Sequence, residues 1–270
     1  MATPAQPEPQ SPPGAEANGE AKMSFFDHLS ELRKRIINSL IAIGLGVVVG
    51  FFYAEKVIGF LVRPMVTALR GAHLGDKLVY TSPTGFVTVL IHGGFYLGFV
   101  IASPFVLYQL WLFIAPGLYR HERKAVFTFV VSASLLFLAG MAFAYWIMLP
   151  YVLKFLISFQ GPFQPLISIN EYFDLILVVL LGLGLIFELP VIVFFLSLFG
   201  IVTPKFLWKN ARYAILIITI IAAIVTPSPD ATTMLIFMAP MVLLYFAGVG
   251  VSYMAVRRRR VAAVAREGAQ

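Results

Sequence analysis

The sequence predicts an all-α membrane protein that crosses a bilayer six times, and three observations carry that reading. Of 270 residues, 60% are hydrophobic and only 12% charged, where a soluble domain carries roughly a quarter charged residues. Mean hydropathy is +0.88. The apolar residues fall into six runs (36–53, 86–109, 125–149, 173–199, 211–225 and 231–254), and a helix rising about 1.5 Å per residue needs about 20 of them to cross a hydrocarbon core. None of the runs alternates with period two, so barrel strands are not expected. An open sheet cannot satisfy its edges in lipid. No internal repeat is apparent.

Lysine and arginine counting orients the chain. With the N-terminus in the cytoplasm, that side carries fifteen of the twenty basic residues, including Arg33–Arg35, Arg123, Lys124, Lys205, Lys209 and Arg257–Arg260. The opposite side carries Lys56, Arg63, Arg70, Lys77 and Lys154. Both termini are therefore expected inside. The net charge of +7 reads as topology and not as a nucleic-acid surface. Residues 1–22, rich in Pro, Ala, Glu and Gln and lacking an apolar core, are expected to be a disordered cytoplasmic tail. Residues 23–255 should form the membrane domain, and 256–270 a basic cytoplasmic tail.

Each span has its own features. Phe25, Leu29, Leu32 and Ile36 lie on one face of a 3.6-residue period, so the first helix should begin as an amphipathic stretch, with Ser24 and Asp27 as a capping box. Residues 55–85 mix apolar pairs with arginine and are expected to form short interfacial helices broken at Pro64. The fifth run, at about 22 Å, is short for a core of about 30 Å. The Pro-rich turn 226–229 stops it, and Asp230 suits the N-cap of the sixth helix.

The composition excludes several chemistries. Without cysteine there are no disulfides or thiol catalysis. No zinc-protease, serine-hydrolase or phosphate-loop motif is present, so the chain reads as a non-enzyme with no cofactor. Binding or transport remains. Glu188, inside an apolar run, is the most informative residue. An intramembrane carboxylate costs several kcal/mol and marks a cavity or partner, or else it is a protonated side chain holding helices together. Glu31 and Glu122 stand on the face crowded with cations. Either they form local pairs with Arg35 and Arg123, or they bind cationic groups of a substrate, to which a guanidinium presents a matching fork.

Three segments then resemble a known family. They are His28-Leu29-x-Glu31-Leu32-Arg33-Lys34-Arg35, Phe113-x-x-Pro116-Gly117-Leu118-x-x-x-Glu122-Arg123, and Phe187-Glu188-Leu189-Pro190. In that order on six spans they resemble TatC, the multi-spanning subunit of the twin-arginine (Sec-independent) protein translocase, over about residues 24–255. The resemblance implies a concave helical bundle in the cytoplasmic (inner) membrane that receives Arg-Arg signal peptides of folded proteins. It implies Glu31 and Glu122 as the acids that meet the arginines, with Arg33 and Phe113 nearby, and Glu188 where the peptide and the single-span partners TatA and TatB approach. Pro64 matches a family proline of the first outer loop, and Asp230 matches the last turn, where Met234 stands in place of a glutamine found in some relatives. Family members form larger, homo-oligomeric complexes and draw on the proton-motive force. The alternative reading is a secondary transporter of a small solute that uses Glu188; such proteins commonly show repeats and paired broken helices.

Overall fold

The computed structural model describes residues 25–114, 123–158, 166–226 and 230–267, with side chains over slightly narrower ranges. The expected disordered tail, the Ser24–Asp27 capping box and Glu122 with its pairing to Arg123 lie outside the described residues or their described side chains. Among the described residues nine α-helices follow one another: α1 (Phe25–Gly71), α2 (Gly85–Ile114), α3 (Arg123–Phe143), α4 (Leu149–Ser158), α5 (Ile169–Ile186), α6 (Leu189–Leu198), α7 (Pro204–Lys209), α8 (Ala211–Val225) and α9 (Ala231–Glu267). A π-helical turn, Ala144–Met148, joins α3 to α4. No strand occurs among the described residues; a single parallel bridge, Val79 to Ser168, ties two connections together.

Among the described residues five stretches are long and apolar enough to cross a bilayer: Leu29–Gly71, Gly85–Phe113, Val130–Ser158, Ile169–Leu198 and Ala231–Arg257. The shorter α8 supplies the sixth apolar helix. Six membrane helices are what the sequence predicts, including the short fifth one. The helices alternate in direction, so the bundle has one face where α1 begins, here the N-terminal face, and an opposite face.

Pro64 does not divide residues 55–85 into short helices. It lies inside α1, which runs unbroken from Phe25 to Gly71. Proline removes the amide that would bond the carbonyl four residues back, here that of Phe60. The Tyr145 hydroxyl donates to that carbonyl at 2.7 Å, and its ring stacks on Phe60 with centroids 4.3 Å apart. One residue on, the fully buried Tyr172 donates to the Leu61 carbonyl at 2.6 Å. The Tyr145 hydroxyl thus replaces the lost backbone bond, and Tyr172 adds a second tie to α1. On both sides of this point α1 buries Ala54, Ile58, Leu61, Met65 and Leu69, a stripe at helical spacing that docks its C-terminal half on the bundle.

Two other prolines reshape their helices. The ring of Pro150 crowds the Trp146 carbonyl, and the chain relieves this with the wider π turn that ends at Met148. That turn also delivers Tyr145 to α1. Pro190 stands in the first turn of α6, so the fourth predicted run is two helices joined at Phe187 and Glu188, not one.

The most extensive packing joins α1 to α2. It is a seam of glycines. A Cβ on Gly98 would sit 2.5 Å from the backbone of Val47, and one on Gly46 or Gly50 would collide with the carbonyls of Gly98 and Gly94. Small residues four apart let two backbones approach where lipid supplies no hydrophobic drive. Gly140 and Gly184 do the same for α3 and α5, against Phe187 and Phe137. The α6–α9 pair is fastened by a 2.6 Å bond between the buried hydroxyls of Ser197 and Ser252.

Two outcomes follow for thermal unfolding of the purified protein in detergent. Tyr145→Phe should cost about 1 kcal/mol, and less than half of that in a Pro64→Ala background, where an amide is available for the Phe60 carbonyl; equal costs in both would separate Tyr145 from the proline. Gly98→Ala should destabilise by about 1–3 kcal/mol through backbone collision. Gly44→Ala, with open space around it, should be neutral or gain up to about 1 kcal/mol of helix propensity.

Candidate functional site

At the N-terminal face, α1 and α2 bring together three polar side chains. Glu31 and Arg35 lie one turn apart on α1, and Arg35 Nη2 donates to Glu31 Oε1 at 3.0 Å. The local pair expected from the sequence is therefore present. It is not isolated: Arg35 Nη1 reaches across to α2 and donates to Gln109 Oε1 at 3.2 Å. Gln109 is buried, and the Glu31 and Arg35 side chains retain only 18% and 24% of their exposure. Glu31 Oε2 and Arg35 Nε are both buried and lack a hydrogen-bond partner among the described residues. The guanidinium thus bridges two helices while leaving one carboxylate oxygen and one of its own donors unsatisfied.

Arg33, two residues from Glu31, is exposed, and Phe113 is half-buried four residues beyond Gln109 on α2. Between them on α2, Trp111 is buried against Phe195 of α6, with ring centroids 4.6 Å apart. This contact anchors the end of α2 to the α6 segment that follows Glu188. Sequence reading missed Gln109, because an amide in a mostly apolar run reads as an ordinary helix-end residue. Its signal was position: a polar side chain at the same membrane level as Glu31, four residues before a motif phenylalanine.

Glu188 is 5% exposed and sits in the α5–α6 junction, about 10 Å deeper along α6 than Phe195. Its amide closes a tight turn on the Leu185 carbonyl at 3.1 Å, and its carbonyl accepts from Ile192 at 2.9 Å. The Ile186 carbonyl loses its usual donor because Pro190 has none. Glu188 Oε1 is buried without a hydrogen-bond partner among the described residues. The carboxyl also hydrogen-bonds to the Phe137 backbone of α3, so the helix-holding role left open by the sequence is met through one side of the group. A buried polar atom left unpaired costs about 1–3 kcal/mol, so this site keeps unused capacity to bind.

Asp230 caps the last long helix. Its Oδ1 accepts from the Thr233 amide and its Oδ2 from the Thr233 hydroxyl, each at 2.7 Å, the geometry of an N-cap at the start of α9. Pro64 is a helix-interior residue braced by Tyr145, not part of a loop. Glu31 and Gln109 thus share a site, whereas Glu188, Asp230 and Pro64 each occupy separate places. A further pair escaped the sequence reading: His92 of α2 faces Asp174 of α5 at 3.6 Å, two isolated ionisable residues joined by packing. No group of three potential metal ligands gathers among the described residues.

Residues 27–240 match the family model described as Sec-independent protein translocase protein (TatC). The TatC protein of Koribacter versatilis is 48% identical over 250 residues, covering 91% of this chain and 92% of that protein. TatCy of Bacillus subtilis is 36% identical over 249 residues, 90% of this chain and 94% of the other. Among solved structures, a crystal structure described as the twin-arginine translocase receptor TatC superposes with a TM-score of 0.75 at 35% identity, covering 84% of this chain and 99% of that one. The shared length spans the Glu31 site, the Glu188 junction and the short α8 together, and the chain belongs to the TatC family of Sec-independent protein translocase components.

Proposed function

We propose that this chain is the receptor core of a twin-arginine translocase, binding Arg-Arg signal peptides of folded proteins at its N-terminal face. Glu31 and Glu122 meet the two arginines, with Arg33 and Phe113 beside them. The face is cytoplasmic, as the basic residues at 33–35, 205, 209 and 257–260 suggest, and both termini lie in the cytoplasm. Glu188 is the polar group met within the membrane by the apolar part of the signal peptide and by TatA- and TatB-type single-span partners. Several copies work in a larger complex driven by the proton-motive force, without catalysis by this subunit.

The observation that carries this reading is the Glu31 pair. A carboxylate at the rim already accepts a guanidinium at 3.0 Å, so its surroundings suit that cation, and its second oxygen remains unsatisfied. Support also comes from Glu188, which keeps an unpaired oxygen in a junction opened by Pro190. The crystal structure matched above carries the word receptor in its description.

Photocrosslinking from positions 31, 122 and 188 to an Arg-Arg signal peptide tests the assignment. Positions 31 and 122 should crosslink near the arginines and 188 nearer the apolar segment. Glu31→Ala and Glu122→Ala should each weaken peptide binding at least tenfold, the scale of one lost charge-assisted pair, while the protein still inserts. Normal binding in both variants would remove these acids from the site. Glu188→Leu should impair export, and wild-type export in Glu188→Leu would assign that residue no part in transport. Purified protein alone should carry no solute flux, whereas a small-solute transporter would.

A further inference from the structure

We propose that Glu31 and Gln109 form one seat for a guanidinium, that Arg35 fills this seat at rest, and that an arginine of the bound peptide displaces it. This deepens the receptor reading above and rests on it. Gln109 then becomes a binding residue, and Arg35 an occupant that keeps the site closed.

The geometry supports both halves. Glu31 Oε1 and Gln109 Oε1 accept from the two terminal nitrogens of a single guanidinium, at 3.0 and 3.2 Å. They come from different helices, so the seat exists only where α1 and α2 meet, beyond their glycine seam. Guanidinium is the cation that fits, because its rigid fork reaches two acceptors at once, whereas an ammonium presents a single point of charge. Gln109 is 4% exposed, and burying an amide without a partner is costly. Its carbonyl oxygen uses Arg35 as that partner.

Arg35 fits the seat imperfectly. Anchored one turn away on the same helix, it reaches only one oxygen of Glu31, leaving Oε2 and its own Nε buried and unpaired. A guanidinium arriving from another chain is free of that tether and can face the carboxylate with both nitrogens, satisfying Oε2 as well. The exchange replaces a partly bonded pair with a fuller one. As long as Arg35 stays, Glu31 offers a ligand nothing: one oxygen is engaged and the other has no access to solvent. Opening the site therefore requires Arg35 to leave, and a peptide without a guanidinium gains little by displacing it.

Binding of a fluorescent Arg-Arg signal peptide, and of its Lys-Lys counterpart, to the full-length protein in lipid nanodiscs tests this. Arg35→Gln should strengthen Arg-Arg binding about fivefold to tenfold by removing the competitor, and Arg35→Lys, which loses the fork, should fall between it and wild type. Gln109→Leu should weaken Arg-Arg binding about tenfold, the scale of one hydrogen bond to a charged group, and narrow the preference over Lys-Lys. Glu31→Ala should abolish that preference in every background. If Arg35→Gln and Arg35→Lys bind as weakly as Glu31→Ala, Arg35 holds the site in shape and the displacement idea is overturned. If Gln109→Leu retains full affinity and preference, the shared seat is overturned. Unaltered binding in Glu31→Ala would remove Glu31 from the site and overturn the seat with it, whereas failure of the wild-type protein to bind the Arg-Arg peptide would overturn the receptor reading itself. Melting curves in the same nanodiscs identify a variant that fails to fold, and Arg35→Lys, which keeps the charge beside Glu31, then decides alone.

Discussion

Every backbone amide and carbonyl inside a bilayer must find its partner within the protein, because the solvent offers none. The rest of this structure depends on how that demand is met where proline breaks it. Pro64 leaves the Phe60 carbonyl without its amide, and Tyr145 supplies a hydroxyl. Pro150 is accommodated by a π turn, which is also what carries Tyr145 to its target. Pro190 opens the junction in which Glu188 sits, and there the Ile186 carbonyl goes without its usual amide. Two repairs lock the bundle; the third leaves polar capacity at membrane depth.

With apolar lipid on every side, the hydrophobic effect cannot choose which helices touch. Contact is set by shape and by a few polar bonds. Glycine supplies the shape, at the α1–α2 seam and again between α3 and α5. Serine and tyrosine supply the bonds, from Ser197 to Ser252 and from Tyr172 to Leu61. Many large apolar residues face outward, as with Leu45, Phe52, Leu135 and Leu243, while others, such as Phe137, Tyr172, Phe173 and Phe237, fill a buried core. The polar groups of the candidate site lie at helix contacts, where lipid offers them no partner.

Much of this was legible in the sequence because hydrophobic run length maps directly onto membrane crossing. The short fifth helix, the break beyond it and the capping role of Asp230 all follow from local chemistry. What did not show is whatever depends on a distant residue. Pro64 reads as a helix breaker until Tyr145, 81 positions away, is placed beside Phe60. Gln109 looks unremarkable until Arg35 reaches it across 74 positions. The Glu31–Arg35 pair was visible as i,i+4 spacing, but not that the same guanidinium is shared with a second helix. Glu188 announced itself by cost alone, while its unpaired oxygen is a fact of packing.

The first helix has a mechanical consequence. Its C-terminal half is clamped by a buried stripe and two tyrosine hydroxyls, and its middle is pressed against α2 at Gly46 and Gly50. Towards the N-terminus its flanks, at Leu40, Ile41 and Ile37, are largely uncovered, and Arg35 makes the cross-helix bond to Gln109. The helix is thus a cantilever with its fulcrum at the glycines and its tip at Glu31, an arm of about 22 Å. A tilt of about 10° at the fulcrum carries the tip roughly 4 Å over such an arm. Whatever loosens the tip is therefore magnified in proportion to distance from the glycines, and a rigid root converts a local exchange of bonds into displacement at the membrane surface.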